Sequence, residues 1–133
     1  MSDLEPVLRA AAAAAAEKQA SDVLVMDVEA QLVVTEYFLI ATGRNDRQVA
    51  GIAHSIEDRL RDDGWKPIGR EGERENTWVL LDYGDFVVHV FQPQEREFYR
   101  LEKLWSDAPR VELPPEVVNA TPLEDLPAEE DTE

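Results

Sequence analysis

Few side chains in this sequence are of the types that carry out catalysis or bind metals. Two closely spaced acid pairs, Asp27 with Glu29 and Asp82 with Asp85, could hold Mg²⁺ or act as general acid and base. Asp and Gly are, however, ordinary hairpin-turn residues, and the chain contains 29 acids in all. We therefore expect neither pair to form a metal or catalytic site.

The histidines, the glycines and the lack of cysteine likewise give no indication of a catalytic or metal site. His54 and His89 fall in different predicted elements, and the lack of cysteine removes thiolate zinc sites, disulfides and thiol nucleophiles. Gly43 precedes a predicted helix but belongs to neither a P-loop nor a dinucleotide-binding motif. No serine lies in a nucleophile-elbow motif. The sequence predicts no catalytic residue, no bound metal and no cofactor.

Length and charge restrict the classes of partner. At 133 residues the chain is long enough for one domain with a single core. Its net charge of −16 repels phosphate backbones, so we expect no binding to naked RNA or DNA and expect attraction to a basic protein surface. We find no signal-peptide pattern and no run of ~20 apolar residues, which predicts a cytoplasmic protein without a membrane segment.

Capping residues and apolar periodicity predict the element order αββαβββα. A capping box at Ser2 opens a first helix that continues through seven alanines to about Ala20. Asn45 caps a second helix that ends at Gly64, and Pro93 starts a third with an apolar stripe of Phe98, Leu101, Leu104 and Trp105. Five strands are predicted at residues 23–28, 35–41, 65–68, 77–82 and 85–91. The pattern predicts an α/β (α+β) fold with helices packed on a mixed five-stranded sheet.

A change in composition divides the chain into two parts. Residues 109–133 contain five prolines, eight acids and one arginine, a net charge of −7 that leaves −9 on residues 1–108. Such a segment has too little apolar surface to offset its ordering entropy. We expect one folded domain over residues 1–108 and an acidic, Pro-rich disordered tail over residues 109–133.

The last two predicted strands, WVLLDYGDFVVHVF at residues 78–91, are apolar on both faces. A tight turn at Tyr83 and Gly84 would pair residues whose numbers sum to 167, whereas a three-residue turn would change the sum to 168 and mix the faces. With the sum of 167, one face carries Val79, Leu81, Phe86, Val88 and Val90, and the other carries Trp78, Leu80, Val87 and His89 above Asp82 and Asp85. A half-buried hairpin needs one apolar face, so the second face either lies beneath a helix or docks a partner.

Three separated motifs carry a resemblance to a known family. EYFLIATGRNDRQV at residues 36–49, EG…TWVLLDYGDFVVHVF at residues 71–91 and REFYRLEKLW…DA at residues 96–108 resemble the Iojap family, whose bacterial members are called ribosomal silencing factors. The resemblance covers about residues 20–108. It implies binding to the large ribosomal subunit at ribosomal protein L-fourteen, which blocks joining of the small subunit and represses translation.

The same resemblance implies a nucleotidyltransferase-like fold, so a nucleotide-binding protein is the alternative. In this sequence the glycine-then-acid-pair order of that enzyme fails, because Asp27-x-Glu29 precedes Gly43 and Asp82-x-x-Asp85 has the wrong spacing. A nucleotide-binding member would need Mg²⁺ and a nucleotide.

On this basis we predict a partner-binding surface on the second face of the hairpin. Trp78 would be the central anchor, with Leu80 and Val87 packed beside it. His89 and Tyr83 would offer polar tips, and Asp82 and Asp85 would meet Lys or Arg of the partner. The alternatives are core packing beneath a helix and a homodimer of the free protein through the same surface.

Overall fold

One mixed sheet organises the protein, whose computed structural model describes residues 4–30, 32 and 34–118. The strands are β1 (Ser21–Asp27), β2 (Tyr37–Thr42), β3 (Gly69–Glu71), β4 (Trp78–Asp82) and β5 (Phe86–Phe91). The helices are α1 (Glu5–Glu17), α2 (Asp46–Asp62), α3 (Pro93–Tyr99), α4 (Leu101–Leu104) and α5 (Pro115–Val118). The order of the long elements confirms the predicted αββαβββα arrangement.

The sheet has the strand order β1-β2-β5-β4-β3, and only the central pair β2 and β5 runs parallel. Its inner face, defined here as the face that packs on α1 and α2, carries fully buried side chains such as Val25, Leu39, Leu81 and Val88. The apolar sides of the two helices complete this core. Across residues 4–30, 32 and 34–118 we find no helix with the length and apolar composition needed to cross a membrane.

The two long helices begin and end where local chemistry favours it. The side chain of Asn45 accepts a hydrogen bond from the Gln48 backbone N–H at 2.8 Å, which caps α2 as predicted. Gly64, with φ 91°, follows the end of α2. The predicted capping box at Ser2 lies outside the described residues.

The β4–β5 hairpin has a different register from the one predicted. Trp78 pairs with Phe91 and Asp82 with Val87, so partner numbers sum to 169 and the prediction of 167 was wrong. The positive φ needed by the turn falls on Gly84, at 86°, and the Asp82 carboxylate accepts its N–H at 2.8 Å. Because 167 and 169 are both odd, the two faces nevertheless carry the predicted residues.

Two further predictions about elements were wrong. The strand expected at residues 65–68 lies instead at Gly69–Glu71, where Arg70 forms an ion pair with Glu57 of α2. The third helix does not run to Trp105, because Arg100 adopts a left-handed conformation with φ 47° and separates α3 from α4. Because of this break, the residues of the predicted stripe do not share one face: Leu101 is buried while Phe98 and Leu104 are exposed.

The chain continues to pack on the body beyond the predicted boundary at Ala108. The Asp27 N–H donates to the Pro109 carbonyl at 2.8 Å, and the Val111 N–H donates to the Val25 carbonyl at 2.9 Å, which forms an isolated antiparallel bridge on the edge of β1. Val111 and Val117 are buried in the inner core. Residues 109–118, which the sequence analysis placed in the tail, therefore pack on the folded body. The rest of the predicted tail lies outside the described residues.

Candidate protein-docking surface

The outer face of the sheet, turned away from α1 and α2, is covered by the chain itself over only part of its width. Met26, Phe38, Ile40 and Phe91 on β1, β2 and β5 are buried in a second cluster. The cover consists of Leu101, Trp105 and Ala108 from the C-terminal helical segment, with the Trp105 ring edge-on to Phe38 at 5.2 Å between centroids. β1, β2 and the end of β5 are thus covered on both faces.

Over β4 and the start of β5 the outer face remains partly open. Trp78, Leu80 and Asp82 alternate along β4, and Val87 stands opposite Asp82 on β5, all four half-buried. Asp85 is exposed at the turn. We call these five residues the docking surface. The second apolar face of the hairpin is therefore core at one end and accessible at the other.

Trp78 is held in place from three directions. Its indole N–H donates to Nδ1 of His89 at 3.1 Å. One side of the ring stacks on Phe91, with 4.9 Å between centroids, and Tyr99 of α3 lies 4.6 Å away. Such contacts fix the rotamer of the largest side chain of the docking surface before any partner arrives, which reduces the entropy cost of binding.

His89 lies beneath Trp78 rather than on the surface. Its side chain is only 4% exposed and sits edge-on to Phe38 at 4.8 Å, so the prediction that it offers a polar tip to a partner does not fit its burial. Burial lowers the pKa of His89 to about 4, and the imidazole is neutral at pH 7. Because Nδ1 accepts the Trp78 N–H, the proton of the neutral ring belongs on Nε2. The role that the geometry gives His89 is to position Trp78.

Tyr83 turns to the opposite side of the sheet. Its ring stacks on Phe86 in the inner core at 4.8 Å and is 5% exposed, so we remove it from the predicted binding residues. Burial, with a smaller contribution from the negative charge of Glu57, raises the pKa of Tyr83 to about 12. Tyr83 lies in the turn between β4 and β5, and the conformation of this turn directs its ring toward the inner face.

Acidic side chains flank the apolar centre. Asp82 uses one carboxylate oxygen to accept the Gly84 N–H, and Asp85 and Glu71, the latter paired in register with Leu80, are exposed. The other acid pair is also engaged locally, since the Asp27 carboxylate accepts the Glu29 N–H at 3.1 Å. An apolar centre with an acidic rim is complementary to a protein surface that carries Lys and Arg around an apolar patch.

One part of the neighbouring surface was missed by the sequence analysis. Phe98 and Tyr99 of α3 are exposed, with Tyr99 next to Trp78, although the helical stripe had placed Phe98 toward the core. The sequence carries no signal for this, because an arginine rarely adopts the left-handed conformation that ends α3.

The fold is a small α+β domain whose outer sheet face keeps a partly uncovered apolar sector. Residues 1–133 match the family described as ribosomal silencing factor during starvation, and the chain belongs to that family. The predicted family and fold are thereby confirmed. Members of this family are regulators of the ribosome by name.

Individual relatives agree with this assignment. The chain is 48% identical over 107 residues to the ribosomal silencing factor of Bacillus subtilis, covering 80% of this chain and 91% of the relative. It is 32% identical over 95 residues to the mouse protein called mitochondrial assembly of ribosomal large subunit protein 1, covering 68% of this chain and 41% of that protein. A crystal structure of a Chromobacterium violaceum protein superposes with a TM-score of 0.76 at 31% identity, covering 79% of this chain and 88% of the other.

Proposed function

We propose that this protein binds the large ribosomal subunit at ribosomal protein L-fourteen and that its body then excludes the small subunit. Membership of the ribosomal silencing factor family supports a target on the ribosome. The name of the mouse relative supports the large subunit as the target.

The observation that carries the proposal is the preorganised, half-buried Trp78 on β4, in the partly open part of the outer face. A large aromatic side chain at the centre of an interface often dominates affinity, and it does so best when its rotamer is already fixed. Trp78 has its polar atom satisfied by His89 and its ring supported by Phe91 and Tyr99. It can therefore be covered by a partner without leaving an unpaired N–H group.

Charge supports a basic protein as the partner. The chain carries −16 overall, and the acids on the docking surface add to this field where contact would occur. Opposite charge speeds association and rejects acidic competitors, whereas phosphate-rich RNA surfaces are repelled. The domain would thus be guided to a protein patch of the subunit and away from ribosomal RNA.

Steric exclusion is tested by the order of addition. We expect the protein to reduce the yield of joined ribosomes when it is mixed with separated subunits, and to bind poorly to ribosomes that were joined beforehand. Sedimentation through sucrose gradients measures both. Equal co-sedimentation with free large subunits and with joined ribosomes would exclude this mechanism.

The docking surface is tested with two variants at Leu80 that introduce long side chains of opposite charge. Leu80 is half-buried, so Leu80→Lys and Leu80→Glu cost the fold similar amounts, but only lysine opposes a basic partner. We expect Leu80→Lys to weaken binding to large subunits at least about tenfold more than Leu80→Glu, a difference of about 1.4 kcal/mol. His54→Lys, on the exposed side of α2, adds one positive charge to the opposite layer and serves as the control. If His54→Lys weakens binding as much as Leu80→Lys, net charge rather than the docking surface decides affinity.

A further inference from the structure

Helix α3 presents aromatic side chains to solvent instead of burying them. Phe98 is 79% exposed and Tyr99 is 43% exposed, and no residue of α3 is buried. A helix that contributes so little to the core gains nothing for folding from an exposed phenylalanine. The exposed aromatic side chains of α3 therefore point to a role in binding rather than in core packing.

Polar contacts, rather than apolar packing, hold α3 against the sheet. The Arg96 guanidinium, with its side chain 11% exposed, donates to the Asp22 carbonyl at 2.8 Å and to the Thr42 hydroxyl at 2.7 Å. It also donates to the Glu102 carboxylate of α4 at 3.3 Å. Because Arg96 faces the body, Phe98, two positions further along the helix, points away from it. Arg96 thus holds the helix to the body on one side, and Phe98 faces solvent on the other.

The exposed rings continue the docking surface. Phe98 contacts Tyr99 edge-on at 5.0 Å, and Tyr99 contacts Trp78 at 4.6 Å. Three aromatic rings therefore form an unbroken strip from α3 onto β4. An accessible apolar strip of this kind marks an interaction site.

We propose that Phe98 and Tyr99 are a second contact region for the same basic protein partner, so that the partner is gripped by α3 and the hairpin together. This proposal rests on the proposed function and extends its surface from the sheet to the helix. Continuity with Trp78 supports a single occupant for the whole strip. Charge favours a basic partner over a second copy of this chain, because two copies of −16 repel each other. The exposed Glu97 and Asp85 lie on the helix and the hairpin and would meet Lys or Arg on such a partner.

The test removes Phe98 alone, since Tyr99 also supports Trp78. Phe98→Ala deletes an exposed ring whose only ring contact is with Tyr99 among the described residues, so the melting temperature should stay close to that of the parent. We expect its affinity for isolated large subunits, measured by titration of fluorescently labelled protein, to fall at least about tenfold. His54→Ala is the control, because His54 is exposed on α2, on the opposite side of the sheet from the strip. It should bind as the parent does.

The outcomes separate this proposal from the proposed function. If Leu80→Lys loses binding while Phe98→Ala binds like the parent, the docking surface stops at Trp78 and the present proposal is overturned alone. If neither variant changes binding, both the docking surface and its extension to α3 are wrong, whereas a parent protein that fails to bind isolated large subunits would overturn the proposed function itself. If Phe98→Ala instead shifts a monomer–dimer equilibrium of the free protein and leaves ribosome binding intact, a second copy covers the strip and the proposal is also overturned.

Discussion

At the scale of single residues, the hydrogen bond between Trp78 and His89 links the surface to the core. The indole N–H is satisfied by a histidine that is neutral because it is buried, so the surface tryptophan depends on a buried titratable group. Protonation of His89 would give the ring a second N–H, at Nδ1, and would remove the acceptor that Trp78 uses. Acid would therefore disturb the docking surface as well as the fold.

This arrangement predicts a pH dependence of stability. The folded protein binds the His89 proton only near pH 4, while the unfolded chain binds it near 6.5, so the stabilisation is complete above pH 6.5 and is lost as the pH falls toward 4. The gap between the two pKa values corresponds to about 3 kcal/mol of unfolding free energy. Urea denaturation between pH 5 and 7 measures the upper part of this loss, where most carboxylates remain ionised.

A matched pair of variants assigns the effect to His89. His89→Asn retains an acceptor near the position of Nδ1 but cannot titrate, so we expect it to lower the stability at pH 7 and to flatten the pH slope between 5 and 7. His54→Asn, at an exposed position on α2, should keep the slope of the parent. Parallel slopes for the two variants would show that His89 is not the group that titrates.

At the scale of elements, the loop between β3 and β4 fixes where Trp78 enters the sheet. Gly72 has φ 85°, and a Cβ at this position would lie 1.9 Å from the Trp78 carbonyl oxygen. The backbone of β4 therefore passes so close to the loop that only glycine fits. The start of the strand, and with it the position of Trp78, is set by this contact.

Substitution of two glycines tests this close approach. We expect Gly72→Ala to destabilise the fold by about 2 kcal/mol or more, because it combines an unfavourable φ with a backbone clash. Gly51→Ala, in the middle of α2 with open space around the added Cβ, should stabilise it by about 0.5 to 1 kcal/mol. Chemical denaturation gives both values. A Gly72→Ala protein as stable as the parent would mean that the loop can move away from β4 at little cost.

At the scale of the whole molecule, the C-terminal segment decides how much of the chain forms the domain. Residues 109–111 extend the edge of β1, and α5 packs on α1 and β1. Edge strands expose unpaired backbone groups, and covering one with the chain itself removes a site for unwanted pairing. The segment rich in proline and acids is thus structural over residues 109–118.

Two truncations test the role of this segment. Ending the chain after Ala108 removes two buried valines, Val111 and Val117, and the backbone hydrogen bonds that residues 109–111 make with β1. Since a fully buried valine contributes roughly 1.5 to 3 kcal/mol, we expect a loss of about 3 kcal/mol or more. Ending it after Val118 retains these contacts and should leave the melting temperature nearly unchanged. Equal stability of both truncated forms and the full chain would show that the segment does not stabilise the domain.

Local sequence patterns were enough to predict the element order, the two faces of the hairpin and the family of this protein. The cap at Asn45, the period of α2 and the alternation along residues 78–91 predicted the element order and the two faces of the hairpin, because each depends on residues only a few positions apart. Three motifs in the correct order were sufficient to predict the family, which the match over residues 1–133 confirms.

Tertiary structure alone decided which parts of those faces are covered. The left-handed Arg100, the inward turn of Tyr83 and the docking of residues 109–118 each depend on contacts between positions far apart in the chain. A helical or strand pattern states that a side chain is apolar on one face, but it does not state what lies over that face. Whether Trp78 and Phe98 are core or surface therefore follows from the path of the C-terminal helices across the sheet, which no short stretch of the sequence specifies.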